Sequence, residues 1–291
     1  MSAAPLSALT GAPADNSVVR NFYRTRDENH TYERLWGYVN PIAAAYWRIR
    51  DELVFEHILN RFDPLTRPLH VLEVGSGHGH EIAKFGLLGI PQSNLAGVDL
   101  IPDRVRRARD NYPEIHFSEQ DATNLQFPDE SFDIVLQYTC VMHADSRDKQ
   151  ERMCWEMMRV VKPGGIILWW DIAPMKWRVI IVQRLLDMLM RPTCWRRNAA
   201  TVRETLCELF STERRRAALD IFDKTYIRPV APRELGHLFP GMTITARQAG
   251  VDFDIWAPIW RHWRGLADAL WRSHWLPRHC FAVIAKPLRD A

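Results

Sequence analysis

Cysteine is scarce in this chain of 291 residues, and its few cysteines share no pattern. The five are odd in number and scattered along the sequence, and no two of them form a C-x-x-C pair. This distribution indicates neither a disulfide framework nor a zinc site. Acidic and histidine residues also lack the close spacing that metal ligands need, so we expect a metal-independent protein in a reducing cytoplasm.

A strong charge of one sign and long apolar runs are missing as well. The formal net charge of +3 is too small to indicate binding to nucleic acid. The most apolar stretch, residues 177–190, contains Arg178, Arg184 and Asp187, so it is too short and too charged to span a bilayer. The first 17 residues have neither a basic region nor an apolar run, so we expect a disordered segment and no secretory signal. The sequence therefore predicts a cytoplasmic protein without integral membrane association.

A glycine-rich stretch, HVLEVGSGHGH at residues 70–80, holds the most informative pattern in the chain. An apolar strand leads directly into glycines at alternate positions, and a helix follows. This arrangement turns free backbone N–H groups toward a bound anion or carboxylate, and the glycines leave the main chain uncovered. A dinucleotide-binding fingerprint would need Gly or Ala at position 80, where this chain has His80.

A carboxylate follows the next predicted strand. Asp99 ends the run Leu95 to Val98 and lies twenty residues past Gly79. At this spacing, nucleotide-binding α/β folds place an acidic side chain on the ribose hydroxyls. A carboxylate accepts hydrogen bonds from both hydroxyls and repels a 2′-phosphate, so we expect a cofactor with an unmodified ribose.

Two further runs complete a family resemblance. FPDESFD at residues 127–133 precedes a fourth strand, and VKPGG at residues 161–165 precedes a fifth. Together with Glu73 in the first strand and the G-x-G-x-G loop, they resemble the motifs of class I S-adenosylmethionine-dependent methyltransferases of the small-molecule and natural-product type. The resemblance covers about residues 68–172 and a final strand, and it implies S-adenosyl-L-methionine as the cofactor.

The resemblance also implies roles for individual residues. Glu73 would help to hold the methionyl end through the glycine loop, while the Asp121 carboxylate and the Ala122 N–H would read the adenine. Gln137 lies at the carboxyl end of the fourth strand, where open α/β sheets bind ligands. The expected cofactor-binding residues are Glu73, Gly75, Ser76, Gly77, Gly79, Asp99, Leu100, Asp121, Ala122 and Gln137.

Strands and helices alternate five times, which predicts an α/β fold with a parallel sheet and helices on both faces. With the resemblance, the expectation is a Rossmann-like sheet of seven strands, mostly parallel, with an antiparallel last strand. One methyltransferase domain would span residues 18–291. Its expected parts are a helical lid at 18–67, a cofactor-binding core at 68–172, a helical insertion after the fifth strand at 173–241, and C-terminal strands with a tryptophan-rich helix at 242–291.

Residues for the methyl acceptor are indicated by position alone. His143 follows the fourth strand and Asp171 ends the fifth, so both are expected catalytic bases. Arginine clusters in the insertion form a solvated face or bind an anionic acceptor. Aromatic residues of the lid and the insertion are the expected substrate contacts: Tyr23, Tyr32, Trp36, Tyr38 and Tyr226.

Five tryptophans between residues 255 and 275, interleaved with arginines, have spacings of 4, 3, 8 and 4. Such spacing places them near one face of a helix. That face could pack on the sheet, cover an acceptor pocket, touch a membrane surface or join two protomers. The sequence leaves these alternatives open.

The expected function is methyl transfer to a small or medium-sized acceptor, partly apolar or anionic, in secondary-metabolite or lipid and glycan biosynthesis. O-methylation is favoured, and C-methylation of a prenyl or aromatic carbon is the alternative. A non-catalytic cofactor-binding subunit would keep the same motifs, whereas His80 and the VKPGG run disfavour an NAD-dependent oxidoreductase. We expect no nucleic-acid partner, and a homo-oligomer is left open.

Overall fold

The computed structural model describes residue 20 and residues 40–64, 67–174, 228–251, 253–273 and 277–288. Within these ranges the strands are β1 (Val71–Val74), β2 (Leu95–Asp99), β3 (His116–Glu119), β4 (Phe132–Tyr138), β5 (Val161–Ile172), β6 (Thr243–Val251) and β7 (Pro277–Ala285). The helices are α1 (Pro41–Leu59), α2 (His80–Ala83), α3 (Pro102–Asn111), α4 (Arg147–Val160), α5 (Leu235–Leu238), α6 (Phe253–His262) and α7 (Arg264–Arg272).

The seven strands form one sheet in the order β3-β2-β1-β4-β5-β7-β6. Strands β1 to β5 pair in parallel, and β7 lies antiparallel between β5 and β6. The strand order reverses between β1 and β4, and a crevice for ligands forms at the carboxyl ends of the strands on either side of such a switch point. The predicted seven-stranded, mostly parallel sheet with an antiparallel last strand is confirmed.

Two apolar cores cover the two faces of the sheet. One core packs α1, α3, α6 and α7 against β1, β4, β5 and β7, and the other packs α4 and α5 on the opposite face. Successive residues of β5 alternate between them, with Trp170 in the first core and Trp169 in the second. This alternation follows from the period of two along a strand.

Helix α1 begins where the sequence predicts a new helix. The side chain of Asn40 accepts from the Ile42 N–H at 3.0 Å, and Pro41 occupies the first helical position, where its missing N–H costs nothing. The helix buries Tyr46, Ile49 and Leu53 against the sheet. It is the described part of the predicted lid.

The tryptophan-rich region forms two helices. The prediction that its tryptophans share one face of a single helix is therefore wrong. Helix α6 ends at His262, and Trp263 is the non-helical N-cap of α7. Trp256 and Trp271 are buried against the sheet, while the side chain of Trp263 is 65% exposed. No helix in the described ranges is both long and apolar enough to cross a membrane.

Candidate functional site

The glycine loop is fixed to the strand beside it. The N–H groups of Gly75 and Ser76 both donate to the Val98 carbonyl, at 2.8 and 2.9 Å. Gly75 has a φ of +77°, and a Cβ there would lie 2.6 Å from the Cys140 Sγ. Position 75 thus requires glycine for both conformation and space.

Gly77 differs from Gly75 because its free side faces open space. Its φ is +53°, yet a Cβ at this position would meet no atom within 4 Å. Its N–H donates to the Asp99 Oδ2 at 2.9 Å, and the Asp99 Oδ1 accepts from the Ile101 N–H at 3.0 Å. The loop and the predicted ribose-binding carboxylate therefore form one unit, and a ligand can lie directly on the main chain at Gly77.

Ser76 supplies a second mark of a binding site. The side chain is buried, and within the described ranges its hydroxyl has no hydrogen-bond partner. A buried hydroxyl without a partner is costly, and a polar ligand atom on the loop would satisfy it. The open space at Gly77 and this hydroxyl both fit a polar ligand such as S-adenosylmethionine on the loop.

Glu73 lies beneath the loop and is almost fully buried. Its Oε2 accepts from the Ile82 N–H at 3.0 Å, which ties β1 to the first turn of α2. Burial, and next the nearby Glu81 carboxylate, raise the pKa of Glu73 well above its ordinary value. A cationic ammonium at this place would favour the ionised form of Glu73.

The predicted adenine-reading pair follows β3. The Asp121 Oδ1 accepts from the Thr123 N–H at 2.8 Å and from the Thr123 hydroxyl at 2.7 Å. These bonds fix a turn at the carboxyl edge of the sheet, and Ala122 is half-buried next to it. Leu100, also predicted to bind the cofactor, is half-buried after β2. Asp99 and Asp121 follow neighbouring strands, and the predicted sites are thus gathered at one edge of the sheet.

Gln137 and Asp171 are both wholly buried and hold the segment that carries His143. The Gln137 Oε1 accepts from the Cys140 N–H at 3.0 Å, and the Asp171 Oδ2 accepts from the Met142 N–H at 3.2 Å. The His143 side chain is half-buried at the end of this segment. Gln137 and Asp171 thus present no surface to a ligand unless residues 140–143 move.

Burial raises the pKa of Asp171 to about 8, although N–H groups of Ile172 and Met142 and the amide of Gln137 partly oppose the shift. The carboxyl group therefore carries its proton over most of the neutral range. Among the two predicted bases, His143 is the one with exposed surface, and the geometry of Asp171 favours a positioning role.

An ion-pair network joins α1 to the helix after the glycine loop, and the sequence reasoning missed it. Arg50 is 4% exposed and donates to Asp51 at 2.7 Å and to the Glu81 carboxylate. Lys84 donates to the same two carboxylates, at 2.9 and 2.7 Å. The signal in the sequence was an arginine at a core-facing position of α1, four residues after the buried Tyr46.

The Arg50 guanidinium also lies 4.7 Å from the ring centroids of both Trp47 and Tyr138. Tyr138 is the last residue of β4, next to the switch point of the sheet. The network therefore sets the position of α1 against both the glycine-loop helix and the end of β4.

A cluster of aromatic side chains covers the carboxyl end of β5. The Tyr46 hydroxyl lies 3.4 Å from the His279 Nδ1, and the His279 ring stacks on Trp170 at 4.8 Å. Trp256 and Trp271 pack edge-on against Tyr46. Burial, then the nearby arginines, lower the pKa of His279 to about 3, so the ring is neutral at physiological pH. His279 pairs with Ile172 in the sheet, a contact 107 residues apart that no local pattern indicates.

Gly250 makes this cluster possible, because its φ is +66° and a Cβ there would lie 3.1 Å from the His279 Nδ1. The predicted substrate contacts Tyr23, Tyr32, Trp36, Tyr38 and Tyr226 lie outside the described residues. In the part of the chain that the structure describes, no group of three or more His, Cys, Asp or Glu side chains could hold a metal ion.

A β7 strand inserted antiparallel beside β5, a glycine loop after β1 and a carboxylate after β2 together define a class I S-adenosylmethionine-dependent methyltransferase fold. Residues 72–169 match the family described as Methyltransferase domain. The prediction made from the motifs is confirmed, and S-adenosylmethionine is the cofactor of the family.

Two curated methyltransferases are similar to this chain in sequence. 2-Methyl-6-phytyl-1,4-hydroquinone methyltransferase of Synechocystis is 30% identical over 216 residues, which are 65% of each chain. Phthiotriol/phenolphthiotriol dimycocerosates methyltransferase 1 of Mycobacterium ulcerans is 36% identical over 174 residues, covering 49% of this chain and 62% of the relative. This chain therefore spans just under two thirds of the length of both relatives.

Solved structures agree on the fold. Magnesium protoporphyrin IX methyltransferase of Synechocystis, solved with bound S-adenosylhomocysteine, has a TM-score of 0.54 at 14% identity, and the match covers 93% of this chain and 99% of that one. A methyltransferase of Archaeoglobus fulgidus has a TM-score of 0.53 and covers 89% and 99%.

Proposed function

We propose that the protein transfers the methyl group of S-adenosylmethionine to a small or medium-sized, partly apolar acceptor. The observation that carries the proposal is the joined unit of the glycine loop and Asp99, with open space at Gly77 and a buried hydroxyl at Ser76. S-Adenosylmethionine, when bound, supplies an electrophilic methyl group on a sulfonium. Intact Glu73, Asp99 and Asp121 support cofactor binding, while His80 and the VKPGG run disfavour an NAD-dependent oxidoreductase.

The protein's own part in such a transfer is mainly to hold and orient. Asp99 would accept from ribose hydroxyls with the lone pairs that its backbone bonds leave, and Asp121 and Ala122 would contact the adenine. Holding two reactants at attack distance supplies much of the reduction in the barrier. The rigid loop, fixed on both sides by Val98 and Asp99, provides that geometry.

A base is needed only where the acceptor is a hydroxyl or a carbon acid. We assign that role to His143, because its side chain has exposed surface after the end of β4. The acceptor would lie beside this segment, at the end of the sheet where the buried aromatic cluster of Tyr46, Trp170 and His279 also lies.

We favour O-methylation, with C-methylation of a prenyl or aromatic carbon as the alternative. The curated relatives are named for a phytyl hydroquinone and for phthiotriol lipids, which supports an apolar acceptor bearing hydroxyl groups. A non-catalytic cofactor-binding subunit remains the rival proposal. Such a subunit would bind the cofactor but would methylate no acceptor.

A calorimetric titration tests the cofactor assignment first. We expect micromolar binding of S-adenosylhomocysteine, no binding of NADH, and at least a tenfold weaker affinity in Asp99→Ala. Asp103→Ala is the matched control, since Asp103 is an exposed acid of the next helix. Binding of NADH alone would refute the proposal, as would equal affinity in Asp99→Ala and wild type.

Turnover is then measured with a panel of prenylated hydroquinones and simple phenols, and NMR of the product distinguishes a methyl on oxygen from one on carbon. His143→Ala should lower kcat on a phenol acceptor by about a hundredfold, within the range of general base catalysis, and leave S-adenosylhomocysteine affinity unchanged. An unchanged kcat would exclude His143 as the base.

A further inference from the structure

The boundary between α6 and α7 presents an unusual surface. Residues 261–266, with the sequence RHWRGL, are exposed at every position, and we name them the junction surface. Trp263 is 65% exposed and Leu266 is 53% exposed. The two are three residues apart, with Trp263 at the N-cap of α7 and Leu266 in its first turn.

Other large apolar side chains with high exposure are isolated in the described part of the chain. Leu59, Leu87, Trp155 and Leu288 come from separate elements, and none has such a partner within four residues. Single exposed apolar residues are normal on protein surfaces, whereas an adjacent pair flanked by cations marks an interaction site.

Two exposed arginines flank the apolar pair. Arg261 and Arg264 form no ion pair within the described residues. Asp268, one turn after Arg264 on α7, pairs with Arg48 at 3.7 Å, and Glu52 pairs with Arg272 at 2.8 Å. The Arg264 guanidinium lies 4.5 Å above the Trp260 ring, which holds this cation beside the apolar pair.

Tryptophan and leucine flanked by arginines suit the boundary between lipid headgroups and acyl chains, where an amphipathic indole lies at headgroup level. Arginines next to it attract anionic lipids. We propose that the junction surface docks the protein peripherally on an anionic membrane, with Trp263 and Leu266 inserted at headgroup depth and Arg261 and Arg264 against lipid phosphates.

The buried sides of the same helices explain why docking there is useful. Trp256 of α6 and Trp271 of α7 pack on Tyr46 in the aromatic cluster over the end of β5. An apolar acceptor dissolved in the membrane would therefore be near the site assigned to it. This last step rests on the proposed function, while membrane docking itself does not.

Vesicle flotation of the full chain tests the proposal. The vesicles contain phosphatidylcholine alone or phosphatidylcholine with about a quarter of phosphatidylglycerol, at about 0.1 M and about 0.5 M salt. We expect wild type to bind the anionic vesicles at the lower salt and to bind the neutral ones at least tenfold more weakly. Higher salt should weaken the binding to anionic vesicles.

Two double variants locate the contact. Trp263→Ala/Leu266→Ala and Arg261→Gln/Arg264→Gln should each lower the partition onto anionic vesicles by at least tenfold. Trp155→Ala is the control, since it removes another exposed tryptophan, from the helix on the opposite face of the sheet, and should bind as wild type does. S-Adenosylhomocysteine affinity and melting temperature, measured on all variants, show that the fold and the cofactor site are intact.

Several results would overturn the proposal. Failure of wild type to float with anionic vesicles would be one such result. Binding that survives both double substitutions would be another, because it would place the membrane contact elsewhere. Dimerisation of wild type that Trp263→Ala/Leu266→Ala abolishes, without vesicle binding, would make the junction surface a contact between two copies. Because cofactor affinity is measured separately, loss of the docking proposal leaves the proposed function standing.

Discussion

At the scale of single residues, two glycines of one loop have different reasons to be glycine. Gly75 has no room for a Cβ beside Cys140, whereas Gly77 has ample room. Both have a positive φ, which an alanine adopts at a cost of about 1 kcal/mol. The free space beside Gly77, which Gly75 lacks, is therefore where we expect the ligand to lie.

We expect Gly75→Ala to unfold the loop and lower the free energy of unfolding by several kcal/mol, because overpacking adds to the backbone strain. Gly77→Ala should cost about 1 kcal/mol and still weaken S-adenosylhomocysteine binding at least tenfold, since its methyl group enters the ligand's space. Chemical denaturation and calorimetry measure the two effects. Wild-type affinity in Gly77→Ala would show that the ligand lies elsewhere.

The buried Asp171 predicts a dependence of stability on pH. Its pKa is about 8 in the folded protein against an ordinary value of 3.8, so between these values the folded state binds more protons than the unfolded state. Stability from this group is full below about pH 4 and declines as the pH rises to about 8.

The Asp171→Asn variant lacks the ionisation at every pH. The free energy of unfolding of wild type, minus that of the variant, should therefore fall by about 1 kcal/mol per pH unit between pH 5 and pH 8. Denaturation curves at several pH values measure it, with the exposed Asp103→Asn as the control that shows no trend. A difference that stays constant with pH would contradict the burial of an ionisable Asp171.

At the scale of elements, α1 carries two arginines with opposite surroundings. Arg50 is buried between Asp51, Glu81 and two aromatic rings, while the Arg48 side chain is 54% exposed next to Glu52. Removing one partner of a buried ion pair leaves uncompensated charge, whereas exposed pairs contribute little.

We expect Arg50→Gln to lower the free energy of unfolding by about 3 kcal/mol or more. Arg48→Gln, on the same helix, should change it by less than about 1 kcal/mol. Because Glu81 belongs to the helix after the glycine loop, Arg50→Gln should also weaken S-adenosylhomocysteine binding. Urea denaturation and calorimetry measure both, and equal effects of the two variants would refute the role of Arg50 in joining α1 to that helix.

The sequence predicts the order and type of the core elements well, since β1, β2 and β4 are short, largely apolar runs bounded by turn residues. Which side chains of a helix are buried is harder to predict, because a small error in the phase of the helix moves them to another face. In α4, Trp155 is 43% exposed, whereas Cys154 next to it is buried. The buried positions of α4, among them Met153 and Met157, form a stripe that excludes position 155.

The VKPGG run shows the same limit in a strand. The run is predicted to precede the fifth strand, but β5 already begins at Val161, directly after helix α4 ends at Val160. Lys162 pairs with Asp133 at 2.8 Å, which holds the run beside β4, and an irregularity in the register accommodates it. Such a tertiary contact has no signature in the local pattern.

Pairs that are distant in sequence were not predictable at all. Arg50 meets Glu81 across 31 residues, and Tyr46 meets His279 across 233. Each needs the packing of α1 on the finished sheet, which a single sequence without its fold cannot supply. The proposed cofactor residues lie at strand ends, which a sequence pattern indicates, whereas the proposed acceptor side depends on such packing.

At the scale of the whole molecule, cofactor binding should stabilise the fold. A ligand at a hundred times its dissociation constant adds about 2.7 kcal/mol to the free energy of unfolding. For a chain of this size that corresponds to a rise in melting temperature of about 4–5 °C. S-Adenosylhomocysteine should produce this shift in a thermal scan, while NADH should not, and the shift should be much smaller in Asp99→Ala. No shift with S-adenosylhomocysteine would contradict the site.

The position of β7 has a consequence for the order in which the chain can fold during synthesis. Residues 277–285 lie between β5 and β6, so β6 reaches the sheet only through a strand that the ribosome makes after it. Until then β5 keeps one open edge, and the nascent chain holds two strands ready to pair with a wrong partner. A chaperone that shields those edges would be needed longest for the β5–β6 region, after the glycine loop and its four parallel strands have already been translated.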